Sequence, residues 1–277
     1  MKKIFITGGS GLLGGALVKF FDDQYQTYYP PKEVMDLTNK EQVLNFFELS
    51  KPDIVIHSAC LTDVDYCELN QEEAYGVNVV GTRNIIEACK KMNATLVYIS
   101  TDFIFDGEKG NYNEEDITKP INYYGKTKFM AEIAVKNSGL RHLIARVSVL
   151  YGNYPNKKFV RFVIDKLGKG HEVTVVKDHY GSPTLVDDIV YAIHELLKKE
   201  KSGVYHVAGS EKLSRFQMAL KIAEHFGFDD SLIKETSANS FKQPAQRPKD
   251  SSLSIEKLKM EGIIMSSFSD GIKKIKR

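Results

Sequence analysis

The chain has 277 residues, 42% of them apolar, with 38 basic residues against 36 acidic ones. That length buries a large core and suits one large domain or a domain with a smaller lobe. A net charge of +2 leaves no footprint for nucleic acid or an anionic membrane. Cys60, Cys67 and Cys89 show neither disulfide nor metal-ligand spacing, which points to a reducing cytoplasm and to no metal. No apolar run reaches the length of a membrane span, and the first residues read as a strand rather than a signal peptide.

That first strand is Lys3 to Thr7. Glycine then falls at 8, 11 and 14, and Leu12, Leu13, Ala16, Leu17 and Phe20 mark the buried face of a helix that starts at once. A strand turning through glycines into a helix offers unpaired N–H groups and a positive dipole end to an anion. Glycine lets a pyrophosphate come close to the backbone. The same spacing also fits an ordinary β–turn–α corner, so the rest of the chain has to decide.

Gln24 to Tyr29 is a second strand, closed by Pro30-Pro31. Its tip, Tyr28 to Glu33, has no acid at the strand end to hold a ribose 2′-hydroxyl. That leans to NADP, and Glu33 keeps NAD open. Asp36 is either an adenine contact or a turn-capping acid. Lys40 to Leu49 is a helix with Val43, Leu44 and Phe47 inward, and Ile54 to His57 is a third strand, apolar enough for burial on both faces. His57 reads as a core or cleft histidine with no catalytic role. Ser58 to Thr62 follows at the strand's carboxyl end, where open parallel sheets bind ligands.

A long helix from Gln71 to Met92 and a fourth strand from Leu96 to Ser100 continue the alternation. The pattern predicts an α/β protein, a doubly wound parallel sheet of the Rossmann type. Right-handed crossovers then set Thr7, Ala59 and Thr101 along one crevice. Next come a polar loop (Gly107 to Pro120), a helix from Ile121, a strand (Leu140 to Val149) and a helix (Phe159 to Leu167). Beyond Gly170 the alternation loosens. Val173 to Val176 and Val204 to Val207 are short strands, Val186 to Leu197 and Phe216 to Phe226 are helices, and Thr236 to Pro248 is irregular. Residues 1–150 are read as the nucleotide-binding domain and 151–277 as a smaller substrate-binding α/β lobe. The boundary is soft, because Val186 to Leu197 can return to the main sheet.

Tyr124 and Lys128 share one face of their helix. A phenol exchanges protons near neutrality only if its anion is stabilised. Lowering its pKa by about three units takes roughly 4 kcal/mol, which a lysine cation in a shielded cleft can supply. Such a pair alone is commonly a surface coincidence. Its position after Ser100-Thr101-Asp102 gives it weight, since a hydroxyl there can bond the carbonyl oxygen that Tyr124 protonates.

These motifs resemble the extended short-chain dehydrogenase/reductase family, and within it the dTDP-4-dehydrorhamnose reductases. The likeness runs through Thr7–Gly14, Pro52–Ile56, Thr62–Asp65, Val77-Asn78, Ser100–Gly107, Pro120–Lys128, Gly181–Thr184, Tyr205–Gly209 and Arg247-Pro248. It implies NADP or NAD as cofactor, contacted by Gly8, Gly11, Leu12, Leu13, Gly14, Asp36, Leu37, Ala59, Cys60, Leu61 and Thr62. It implies Tyr124 as general acid, Lys128 on the nicotinamide ribose, and Thr101 on the substrate oxygen, with Asp102, Val149 and Arg247 completing the substrate site. The implied substrate is a nucleoside-diphosphate 4-keto-6-deoxy sugar, a dTDP-sugar above all, reduced at C4.

Dehydratases of the superfamily follow the active-site Thr with Asp-Glu. Here Phe103 follows Asp102, which favours simple reduction. Arg247 is read as clasping the diphosphate, with an inter-lobe salt bridge as the other reading. The reductases carry an Arg-Thr-Ser-Trp pattern where this chain has Arg146-Val147-Ser148-Val149 and no tryptophan anywhere. Gly8–Gly14 and Ala245–Pro248 also resemble the regulatory β subunit of methionine adenosyltransferase, an NADP-binding partner protein. Neither reading calls for nucleic acid or membrane, and a homodimer is left open.

Overall fold

The computed structural model describes residues 1–154, 158–240 and 242–277. Strands β1 (Lys3–Thr7), β2 (Gln26–Tyr28), β3 (Ile54–His57), β4 (Thr95–Thr101), β5 (His142–Val147) and β6 (Gly203–His206) pair in parallel. Their order is β6-β5-β4-β3-β1-β2. Parallel strands with apolar residues on both faces need a cover on each side. The alternation along β1 and β4 sorts the two layers. Ile4, Ile6, Val97 and Ile99 pack with Leu13 and Leu17 of α1 (Leu12–Asp22). Phe5, Leu96 and Tyr98 face the other way, onto Val43 and Phe47 of α2 (Lys40–Ser50), Ile85 of α3 (Gly81–Met92), and Ala131 and Val135 of α4 (Tyr123–Lys136).

After α5 (Phe159–Leu167) the chain crosses back into the large layer. Ile189 and Ile193 of α6 (Val186–Lys198) join the core beside α1, and β6 is the edge strand next to β5. A second core gathers Val160, Val163 and Ile164 of α5 with Met218 and Ile222 of α7 (Arg215–Phe226), Val173, Val175 and Phe268. It is floored by a parallel pair of strands, Val173–Val176 and Ile233–Thr236. The Ile233–Thr236 strand escapes sequence reading because only one of its four residues, Ile233, is apolar and buried. Phe241, in the stretch expected to be irregular, lies outside the described residues.

Three of the departures from expectation bear on the cleft. The helix expected over Gln71 to Met92 contains a π turn at Gly76–Val80 between Gln71–Tyr75 and α3. β2 is only three residues long. β5 stops at Val147, and Val149 takes a left-handed conformation (φ 44°) instead of extending the strand. A branched side chain there costs about 1–2 kcal/mol. Local bonds hold it: the Thr184 N–H donates to the Val149 carbonyl (3.0 Å) and the Thr184 hydroxyl to that of Ser148 (2.7 Å).

Beneath the strand ends sits a buried ion pair. Arg146 of β5 donates to Glu132 of α4 (Nη2–Oε1 2.7 Å), and the Ser100 hydroxyl of β4 donates to the same carboxylate (2.8 Å). Burial alone would raise this carboxyl. The Arg146 and Lys136 bonds and charges overcome it and hold the pKa at about 2 rather than 4.5. Burial, seconded by a nearby cation in each case, brings His57 and His206 from 6.5 down to about 3, so both stay neutral in the fold.

All three shifts are depressions, so the unfolded chain binds protons that the native state refuses. Stability to urea is therefore expected to be full above pH 6.5. It should fall as pH drops from 6.5 toward 3 through His57 and His206, and fall further from 4.5 toward 2 through Glu132. Urea midpoints measured at pH 7.5, 5.5 and 4 check this, and His57→Gln should flatten the first limb.

Candidate active site

The carboxyl ends of β1, β3, β4 and β5 open onto one cleft of about 590 Å³. At the β1 end, His57 Nδ1 is hydrogen-bonded to the Thr7 hydroxyl (2.7 Å), and the Ala59 N–H donates to that hydroxyl (3.1 Å). Thr82 engages His57 Nε2 (3.0 Å), so the ring is spent on structure, as the sequence reading held. This clamp brings the β3 end against the glycine corner. A Cβ on Gly8 (φ 74°) would lie 2.8 Å from Ala59 backbone, and one on Gly14 would lie 1.8 Å from the Gly8 carbonyl oxygen. Because Gly11 N-caps α1 with no side-chain bond, first-turn N–H groups of the helix are left for an anion. Such a cradle fits a dinucleotide pyrophosphate.

Gly8, Gly11, Leu12, Leu13, Gly14, Asp36, Leu37, Ala59, Cys60, Leu61 and Thr62 all line this cleft, together with Thr101, Asp102, Tyr124, Lys128 and Val149. Asp36 caps a turn and also lies on the cleft wall. It faces the cleft, and its Oδ1 accepts from the Thr38 N–H and hydroxyl, each at 2.9 Å. Lys32 stands beside it on the cleft wall.

Thr101 ends β4. Tyr124 and Lys128 lie on the first turns of α4, which Asn122 caps by accepting from the Gly125 N–H (2.8 Å). Both side chains are buried, Tyr124 at 9% exposure and Lys128 at 3%. The expected lowering of the phenol pKa by Lys128 is not found. Burial first, then the charges of Cys60 and Asp102, push Tyr124 well above its ordinary 10, and the Thr101 hydroxyl only partly offsets them. Lys128 is turned elsewhere: its ammonium donates to the Ile99 carbonyl (2.7 Å) and rests over the Tyr98 ring at 4.3 Å. Burial lowers its own pKa. The phenol is thus a protonated donor at neutral pH.

Asp102 faces the cleft, yet its carboxylate is engaged. The Ser148 (2.7 Å) and Ser251 (2.5 Å) hydroxyls donate to Oδ2, and Thr101 donates to Oδ1 (3.1 Å). Burial raises its pKa against these bonds. It ties the end of β4 to β5 and to the C-terminal loop.

Arg247 is the residue the structure does not bring to the cleft lining. Its guanidinium is held bidentately by Asp65 (Nη2–Oδ2 2.6 Å) and by the Ala245 carbonyl (2.6 Å), so a salt bridge is what it forms. The reason is competition: a fixed carboxylate within reach already satisfies the fork.

Two residues of the site were assigned no role from the sequence. Asn78, in the π turn, bonds both backbone groups of Leu61 (2.8 and 3.2 Å) and the Thr127 hydroxyl (3.0 Å), coupling the cofactor edge to α4. Its signal was a polar, weakly helix-forming residue inside a helical run. Arg215 lines the cleft and stacks on Phe159 at 5.1 Å. Its signal was a cation in the first turn of α7, where the helix dipole disfavours it.

A doubly wound sheet with a glycine corner and a Thr–Tyr–Lys set at the strand ends defines a short-chain dehydrogenase/reductase. The chain belongs to the family described as the RmlD substrate binding domain, whose sequence pattern matches residues 1–276. It is similar to the dTDP-4-dehydrorhamnose reductase of Aggregatibacter actinomycetemcomitans, 31% identical over 297 residues, covering 100% of this chain and 99% of that one. It is also 31% identical over 290 residues to the methionine adenosyltransferase 2 subunit beta of Mus musculus, covering 98% of this chain and 86% of that one. The crystal structure of a Bacillus anthracis dTDP-4-dehydrorhamnose reductase in complex with NADP superposes with a TM-score of 0.94 at 35% identity, covering 99% and 98% of the two chains.

Gly14→Ala tests the corner. Its methyl would meet the Gly8 carbonyl, so the turn must open. NADPH affinity, read by fluorescence titration, is expected to fall by at least about tenfold, with destabilisation of about 1–3 kcal/mol.

Proposed function

We propose that this chain is an NAD(P)H-dependent reductase of a nucleoside-diphosphate 4-keto-6-deoxy sugar, a dTDP-sugar above all, acting at C4. The observation that carries the reading is the meeting of Thr101, Tyr124 and Lys128 at one end of the cleft, with the phenol kept protonated. Reduction of a ketone needs a proton on the nascent alkoxide, and a neutral phenol supplies it directly. NADP or NAD, when bound across the strand ends, supplies the hydride. Lys32 beside the β2 tip favours the 2′-phosphate of NADP.

Each residue's part follows from its place. The first turn of α1 and Gly8, Gly11 and Gly14 hold the pyrophosphate, with Leu12 and Leu13 against it. Asp36 and Leu37 border the adenine, and Ala59 to Thr62 border the nicotinamide side. With substrate bound, the single Thr101 hydroxyl proton turns from Asp102 to the substrate carbonyl oxygen and orients it toward Tyr124, and Tyr124 delivers the proton. Lys128, anchored by the Ile99 carbonyl, holds the nicotinamide ribose. Asp102 and Val149 shape the sugar pocket, with Val149 standing where the related reductases carry a Trp. The second core forms the substrate-binding lobe over this edge. The free thiols of Cys60, Cys67 and Cys89 suit the cytoplasm.

The other reading, a non-catalytic NADP-binding regulatory subunit, is favoured by the equal identity to the methionine adenosyltransferase 2 subunit beta. One assay separates them: loss of NADPH absorbance with dTDP-4-keto-6-deoxy-L-mannose. Turnover is expected, with Tyr124→Phe lowering kcat about 10²- to 10⁴-fold while NADPH binding persists. Absence of turnover with every 4-keto sugar nucleotide would sink the reductase. Because burial raises the Tyr124 pKa, the proton donor should persist, and kcat for reduction should show no loss from this group up to about pH 9.

A further inference from the structure

We propose that Arg215, and not Arg247, binds the diphosphate of the nucleotide-sugar substrate, an assignment that rests on the reductase reading above. The argument begins with which cations are already occupied. Arg146 is paired with Glu132, and Arg247 is held by both oxygens of Asp65. Among the described residues Arg215 makes no salt bridge. Its one polar contact among the described residues is a weak one, Nη1 to the Met218 sulfur at 3.7 Å. The nearest acid whose charge it feels is Asp102. The Asp102 oxygens accept from Ser148, Ser251 and Thr101 and form no salt bridge with the guanidinium, so the two charges attract through space while the guanidinium donors stay unspent on that carboxylate.

The side chain is also pre-organised. Arg215 is the first residue of α7, and Ser214 and Gln217 close a reciprocal capping box around that turn (2.8 and 3.1 Å). Phe159 lies against the guanidinium at 5.1 Å, and Arg215 is part of the cleft lining. A planar, desolvated fork with unspent donors is the group that takes a phosphate bidentately.

Position decides which phosphate. The cofactor's pyrophosphate has its own cradle at the glycine corner. Arg215 instead lines the cleft within reach of the charge of Asp102 and rests on Phe159, which packs against the second core. It adds positive potential there with Arg247: after burial, and against Asp178, both charges lower the His179 imidazole. A nucleoside diphosphate entering beside the sugar pocket meets this wall.

The test is calorimetric titration of dTDP and UDP into NADPH-saturated protein, alongside steady-state kinetics. Arg215→Met is expected to weaken the preferred nucleotide about 10- to 100-fold and to raise KM for the sugar nucleotide by a like factor. Over the same comparison, kcat should move less than about threefold, and the NADPH Kd should not move. Arg215→Lys, which keeps stem and charge but loses the fork, should lose less, and it serves in place of the Met variant if that variant does not fold. Nucleotide affinity unchanged in the folded variants overturns the proposal, as does a parallel loss of NADPH affinity, which would assign Arg215 to the cofactor. Wild-type protein that binds NADPH but neither dTDP nor UDP overturns the reductase reading itself.

Discussion

The structure depends on a carboxylate placed where a carboxylate is expensive. Glu132 has no exposure and is tolerable only because Arg146, Lys136 and the Ser100 hydroxyl all reach it. An unpaired charge at that depth would cost several kcal/mol. The requirement narrows how α4 can lie on the sheet, because Glu132 must meet β4 through Ser100 and β5 through Arg146. Tyr124 and Lys128 belong to the same helix, and Thr101 follows Ser100 directly. One buried network beneath the cleft therefore sets the spacing of the three groups above it.

The cofactor edge is built on a different physical basis, close approach of backbone. Gly8 and Gly14 leave no room for a side chain, and the Thr7–His57–Thr82 chain of bonds draws β1, β3 and α3 together behind them. Asn78 extends this order across the cleft by fastening Leu61 to α4. The π turn that carries Asn78 is a local departure from regular helix, of the kind often found at functional sites. Both edges of the cleft are thus referenced to α4.

The substrate side is where strain and charge collect. Val149 sits in a left-handed conformation immediately after β5 and packs against Gly181, where a Cβ would come within 2.9 Å of its methyl. The turn replaces a strand end with a bend that points the chain into the second core. The two arginines of this region divide the work. Arg247 joins the C-terminal loop to Asp65, while Arg215 keeps its charge for the cleft.

Much of this was legible in the residues. Alternating apolar strands and amphipathic helices determined a parallel doubly wound sheet, because such strands must be covered on both faces. The glycine spacing marked the corner, and Thr101, Tyr124 and Lys128, singled out by their local spacing, line one cleft with it. Partnerships between distant residues were not legible. Asp65 reaches Arg247 across 182 positions, and Ser251 reaches Asp102 across 149. Whether a guanidinium faces a carboxylate or a cleft depends on which side chains the fold brings within about 3 Å, the length of a hydrogen bond. The direction of the Tyr124 pKa shift was decided the same way, by the burial of the phenol and by Lys128 turning to the Ile99 carbonyl. The sequence by itself determined which groups are present and which edge they share. Only the tertiary structure decided which of them are left unspent for a ligand.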